Sequence, residues 1–380
     1  MSVRTDLEEL RLAFVANGVV FSALLMVITI AVLDRGAYHR VVQEDGPLEW
    51  ATVMVLIPAA LLAGRATLRG IRSDGPFPWF LAGLTAFCVF FAGEEISWGQ
   101  RLMAYQPPEY FLEHNTQQEF NVHNLFKDLI RTRYLLLMIL VVYGVALPLV
   151  DRYTSRAREL LERLGVVVLP VSLVPAFGAV ALFLALYPFK YSGEVAECLF
   201  ALTLFLAIAI RVEPRADFRP APALPLDAAL ALTTGLCVAV GVAAPPLLGL
   251  LIHGSDEDRV ARAAAEAEAL GEDWTTQADR DGESPSRCGS HIRVWTWVEK
   301  HAHGAFVGGA FHALDGDETR RRYFLDPWNN PYWLRHVCDG AVDGIVLYSF
   351  GPDRRRGSTD AGLAGDDVGV DIGPRVEGVQ

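Results

Sequence analysis

Between residues 93 and 124 the chain reads GEEISWGQRLMAYQPPEYFLEHNTQQEFNVHN, its densest run of side chains able to do chemistry. Glu94 and Glu95 follow directly on an apolar run. A carboxylate at membrane depth costs about 2.5–3.5 kcal/mol on insertion scales, so such a group is interfacial, paired or functional. Arg101 is the nearest counter-ion in sequence. His114, Glu119 and His123 come next, interleaved with Asn115, Asn121 and Asn124, and the four-residue spacing of Glu119 and His123 would put both on one helix face. Glu94, Glu95, His114, Glu119 and His123 are therefore the candidate catalytic set. They would form a metal or general acid–base site acting on a lipid-linked or peptide substrate. The spacing matches neither H-E-x-x-H nor G-x-S-x-G. The preferred reading is structural: an interfacial aromatic belt of Trp98, Tyr105, Tyr110 and Phe111, with charges facing lipid headgroups.

A second set lies near the C-terminus, where Asp353, Asp360, Asp366, Asp367 and Asp371 stand among glycines. Such a loop has little to bury and much self-repulsion, so it is either a solvated acidic tail or is organised by a hard cation. Calcium, which takes six to eight oxygen ligands and tolerates irregular loops, suits it. His301 and His303 could coordinate a metal from a strand, but no cysteine or carboxylate stands beside them, so they are not taken as a site.

The elements that position these residues follow from composition. The 380 residues are 52% hydrophobic with a formal net charge of −12, and the mean hydropathy is +0.27. Residues 1–252 carry 22 acids against 19 bases, whereas residues 253–380 carry 23 against 14. This asymmetry excludes one homogeneous globular domain, and it excludes nucleic acid held by a general basic field. It predicts a transmembrane helical domain over 1–252 and an exported, water-soluble domain over 253–380. Seven stretches approach the roughly 20 apolar residues that a bilayer needs: 12–33, 48–64, 77–93, 134–150, 164–187, 194–210 and 226–252. The first is longer than a signal-peptide core and lacks a small-residue cleavage site, so it reads as a retained helix. Pro170, Pro175, Pro245 and Pro246 predict kinks.

Twelve arginines fall in the segments on the N-terminal side of the bundle, against seven Lys and Arg on the other. The positive-inside bias therefore predicts a cytoplasmic N-terminus and, after seven crossings, an extracytoplasmic C-terminal domain on the same side as 94–124. Cysteine usage agrees. Cys88, Cys198 and Cys237 fall in apolar stretches, leaving Cys288 and Cys338 as the pair in the soluble third. In an exported domain this pair reads as a disulfide worth about 4 kcal/mol in the chain-entropy model. In a reducing compartment it would be two thiols.

In the soluble third, Ser255 and the acids after it predict the start of a helix running to about Leu270, continuing the seventh span into water. A polar linker over 271–290 follows, then HIRVWTWVEK and GIVLYSFG, which read as strands. Asp326-Pro327-Trp328-Asn329-Asn330-Pro331-Tyr332-Trp333 resembles the DPWGxPY motif of the type II secretion system major pseudopilin C-terminal domain. Ser349-Phe350-Gly351-Pro352-Asp353, followed by Asp366-Asp367-Val368 and Asp371-Ile372, resembles that family's downstream motif. The resemblance implies a small α+β domain, an N-terminal helix packed on an antiparallel sheet, with a structural Ca2+ held by Asp353, Asp366 and Asp367, and Asp371 in reserve. Asn329 and Arg354 stand where the family has glycine, and no prepilin-type junction precedes Ser255. A filament subunit is therefore not expected. The GEEISWGQR and N-x-H-N patterns resemble those of bacterial multi-pass membrane proteins with no assigned activity.

The resulting expectation is a multi-pass protein of the bacterial inner membrane with a calcium-binding periplasmic module. Its role would be non-catalytic binding or assembly with secretion or envelope proteins. The alternative is an integral membrane enzyme working through the 94–124 loop.

Overall fold

The structure, a computed structural model, describes residues 3–43, 46–73, 75–115, 117–125, 132–212, 257–281, 291–301, 308–314, 316–339, 342–352, 356–358 and 362–374. In chain order the first helices are α1 (Val3–Leu33), α2 (Arg35–Val42), α3 (Pro47–Ile71), α4 (Trp79–Glu95), α5 (Gln100–Met103), α6 (Glu109–His114) and α7 (Val122–Leu125). Next come α8 (Thr132–Ile139), α9 (Leu147–Tyr153), α10 (Ser155–Arg163), α11 (Val174–Leu186) and α12 (Ser192–Val212). After these lie α13 (Glu257–Asp281), α14 (Val294–His301), α15 (Gly309–Ala313) and α16 (Glu318–Arg322), with strands β1 (His291–Arg293), β2 (Trp333–Asp339), β3 (Val342–Ser349) and β4 (Val368–Pro374). The chain divides into two compact units. One is Met1–Ile96 with Phe126–Ala244, and the other is Ser97–Leu125 with Pro245–Gln380.

The first unit is a helical membrane body. Four of its helices are long and apolar enough to cross a bilayer: Arg11–Leu33, Pro47–Ile71, Thr132–Tyr153 and Ser192–Arg211. The third of these is α8 and α9 joined through a π-helical segment, Leu140–Ala146. Helix α3 packs on α4 and α12, and α12 also meets α1 and α11. Their shared core includes Val20, Leu56, Cys88, Phe177, Leu184, Phe200 and Phe205. Gly144 permits a close approach, since a Cβ there would lie 2.5 Å from the Phe177 ring. Asn17 in α1 ties the start of α11 into the body. Its Nδ2 donates to the Ser172 carbonyl at 2.8 Å, and its Oδ1 accepts from the Ala176 N–H at 3.1 Å.

The second unit is a helix-on-sheet module. The antiparallel sheet runs in the order β1-β2-β3-β4, and α13 packs against β3 and β4. Side chains alternate across the sheet as a strand requires. Leu334, Ile345 and Leu347 join Leu270, Trp274, Trp297, Phe311 and Tyr332 on the α13 side. Trp333, Val337, Val346, Tyr348 and Phe350 form the core of the other face, where the Trp333 and Phe350 rings stack at 5.3 Å. Within α13, Glu266 takes both oxygens to Arg320 Nη2 at 2.9 and 2.7 Å and accepts from the Tyr332 hydroxyl at 2.8 Å.

Several expectations change. Of the seven apolar stretches, 77–93 appears as the 17-residue α4. The stretch 164–187 is helical only over Val171–Leu186, because Gly165 at φ +68 ends the preceding helix and Pro170 precedes the next. The stretch 226–252 and Cys237 lie outside the described residues. The expected linker from 271 is helix as far as Asp281. In HIRVWTWVEK only His291–Arg293 pairs as strand; Val294, Trp297 and Val298 instead line one face of a helix against the Trp274 side of the core. The aspartate-rich tail ends in β4, which carries Asp371.

Candidate functional site

The expected set of Glu94, Glu95, His114, Glu119 and His123 divides between the two units. Glu119 lies in a turn before α7, so it and His123 share no helix, contrary to the expectation from spacing. The reason is local hydrogen bonding by short amides, which competes with helix formation. Asn115 Nδ2 donates to the Glu119 carbonyl at 2.7 Å and to Asn121 Oδ1 at 2.9 Å, while Asn115 Oδ1 accepts from the Gln117 N–H at 2.7 Å. Glu119 Oε2 accepts from Ser97 Oγ at 2.8 Å and from Asn121 Nδ2 at 2.9 Å. Gln100 Oε1 caps the Phe120 N–H at 2.7 Å, and Asn124 bonds Gln117. Ser97, Gln100, Asn115, Gln118, Glu119, Asn121 and Asn124 are all buried. His114 and His123 are exposed; His114 bonds the Tyr110 carbonyl and stacks on the Tyr110 ring at 4.5 Å.

This polar knot fastens the loop to the C-terminal segment. Gln118 Nε2 donates to the Tyr323 carbonyl at 3.1 Å, and Asn329 Nδ2 donates to the Ala104 carbonyl at 2.7 Å. Leu112 packs with Tyr323, Leu325 and Trp295 in a small apolar core. Ser97, Trp98, Ala104 and Gln118 hold positive φ between 45 and 54, a strain that the surrounding bonds must sustain. Trp98, Met103 and Tyr110 remain exposed, whereas Tyr105 and Phe111 are half-buried.

The two motifs of the pseudopilin resemblance meet at Asp326. Its Oδ1 accepts from the N–H groups of Trp328 at 2.9 Å and Asn330 at 2.8 Å, and its Oδ2 accepts from Ser349 Oγ. Ser349 Oγ in turn accepts from the Gly351 N–H at 3.0 Å. Complete burial pushes the Asp326 carboxyl up to about 6, although the bonds from Ser349, Asn330 and Trp328 work in the opposite direction.

Of the expected calcium ligands, Asp353 lies outside the described residues, as does Cys288 of the expected disulfide; Cys338 falls on β2. Asp367 directs both oxygens to the 357–358 loop, accepting from the N–H groups of Gly357 at 3.1 Å and Ser358 at 2.7 Å and from the Ser358 hydroxyl. Burial raises its carboxyl above the usual range, with Asp366 nearby adding to the effect. Asp371 is exposed on β4. Among the described residues no three His, Cys, Asp or Glu side chains are placed to hold a metal.

In the helical unit, Glu94 is buried at 4% exposure. Glu95 ends α4 and hydrogen-bonds Glu197 near the start of α12, with Glu194 and Glu94 in electrostatic reach. Cys198, bonded to Thr52 of α3, is also close to Glu95. The pairing of Glu95 with Glu197 is not visible in either segment alone. The available signal is that α4 ends and α12 begins in acids.

Comparisons with protein-family models, curated proteins and solved structures find nothing that matches the chain. Its class rests on the structure: a membrane-embedded helical protein carrying a small antiparallel-sheet module.

Proposed function

We propose that the chain is a multi-pass protein of the bacterial inner membrane whose extracytoplasmic module serves binding or assembly, with secretion or envelope proteins as partners. The observation that carries this reading is that 97–125 and the C-terminal segment form one compact unit, with the polar side chains of the loop engaged in holding it together. The exposed Trp98, Met103 and Tyr110 supply a contact surface. Both parts of one unit lie on one side of a bilayer, so an even number of crossings separates residues 125 and 257. Three apolar helices intervene among the described residues, and 226–252 supplies a fourth apolar stretch. With the arginine bias, this supports a cytoplasmic N-terminus and an extracytoplasmic module.

The gathering of Glu95 with Glu197, Glu194 and Glu94 favours a second reading, acid–base chemistry at the end of the helical unit, since clustered carboxyl groups can serve as acid and base. Complementation of a chromosomal deletion, scored by detergent sensitivity and secreted-protein profile, separates the two. The binding reading expects Glu95→Gln and Glu197→Gln to complement. It expects the triple serine variant of Trp98, Met103 and Tyr110 to accumulate normally and fail. The opposite pattern overturns it in favour of acid–base chemistry.

A further inference from the structure

At the arginine-rich end of the helical unit lies a cavity of about 440 Å³. Ala66 of α3, Leu81 of α4, Asp151 of α9 and Arg211 of α12 line it, and α10 contributes Arg158 and Glu162. Ala66, Asp151 and Arg211 lie in the last two turns of α3, α9 and α12, and Leu81 lies in the first turn of α4, so all four stand at helix ends. The cavity therefore sits at the depth where hydrocarbon gives way to headgroups.

Its polar lining is two cations and two anions. Arg158 stays near Asp151, with Nε 3.7 Å from Oδ1 and Nη2 donating to the Asp151 carbonyl at 2.8 Å. The side chains of Arg211 and Glu162 have no hydrogen-bond or ion-pair partner among the described residues. Helix α10 begins two residues after a membrane span ends and buries none of its side chains. Leu160 and Leu164 are about half exposed, and Tyr153 at the end of α9 is exposed too. Arg156 and Arg163 stand on the same helix. Apolar side chains on a short basic helix at a span terminus are the pattern of an interfacial helix.

We propose that this cavity binds the headgroup of a phosphatidylethanolamine-type lipid. Its phosphate meets Arg211 and Arg158, and its primary ammonium meets Asp151 and Glu162, while α10 lies in the interface. A simple anion would face two carboxylates and a simple cation two guanidinium groups. A headgroup carrying both charges a few bonds apart satisfies all four, and its N–H donors suit carboxylate oxygens.

The test titrates the detergent-solubilised full chain with short-chain phosphatidylethanolamine, short-chain phosphatidylglycerol and inorganic phosphate, reading occupancy by native mass spectrometry. Phosphatidylethanolamine should saturate one site ahead of the other two. Arg211→Gln should weaken it about tenfold, the scale of one charge-assisted hydrogen bond. Glu162→Gln should weaken phosphatidylethanolamine while sparing phosphatidylglycerol. Neither residue is bonded within the described structure, so an unchanged melting temperature should accompany both losses. Equal binding of phosphatidylglycerol, full competition by inorganic phosphate, or wild-type binding by both variants would overturn the proposal.

Discussion

Asp326 shows how one carboxyl can fix a turn and give a module its pH response. Three donors converge on it within a buried site, and burial pushes it up to about 6 from an ordinary value of 3.8. A raised folded-state value means that the folded form holds the proton more tightly. The resulting stabilisation is complete below about 3.8 and is lost as pH rises through about 6. For a shift of this size the swing is roughly 2–3 kcal/mol. Thermal unfolding of the full chain in detergent, compared at pH 5 and pH 7, should therefore show less pH dependence in Asp326→Asn than in wild type. Asp326→Ala strands the Trp328 and Asn330 N–H groups and should cost about 3 kcal/mol at pH 7, and more at pH 5, where the proton-linked stabilisation is lost as well. The DPW and SFG segments are recognisable in sequence, and Asp326 with Ser349 is where they join. The partner of Glu95 is not, because Glu197 lies about a hundred residues away and only the packing of both α4 and α12 on α3 brings it near.

At the level of elements, the tie between α13 and α16 is an ion pair with side-chain exposures of 5% for Glu266 and 10% for Arg320. Arg320 also donates to the carbonyls of Leu325 and Asp326, so the pair sets where the turn leaves α16. Glu266→Gln leaves a buried guanidinium without its counter-charge and should lower unfolding free energy by about 3–5 kcal/mol. Replacing both residues with methionine should cost less than the two single changes summed, as a double-mutant cycle in denaturant would measure. Elements with one dominant period were legible: the long apolar runs became α1, α3 and α12, and GIVLYS became β3. HIRVWTWVEK was ambiguous because its apolar residues satisfy both alternation and the three–four spacing of Val294, Trp297 and Val298. Packing against Trp274 decided for helix.

For the whole molecule, the sequence division at residue 252 missed the loop. Residues 97–125 carry no apolar period, and their links to the C-terminal segment, such as the bond of Gln118 to Tyr323 and the packing of Leu112 on Tyr323, join residues about two hundred positions apart. Composition registers the charge of such a loop but not what its amides reach. The central claim is that loop and tail form one body on the extracytoplasmic side. Single cysteines at Tyr110 and Leu363, both exposed, in a background with the native cysteines replaced by alanine, test it through a membrane-impermeant maleimide applied to intact spheroplasts. Both positions should label without lysis; labelling of one with protection of the other would contradict the account.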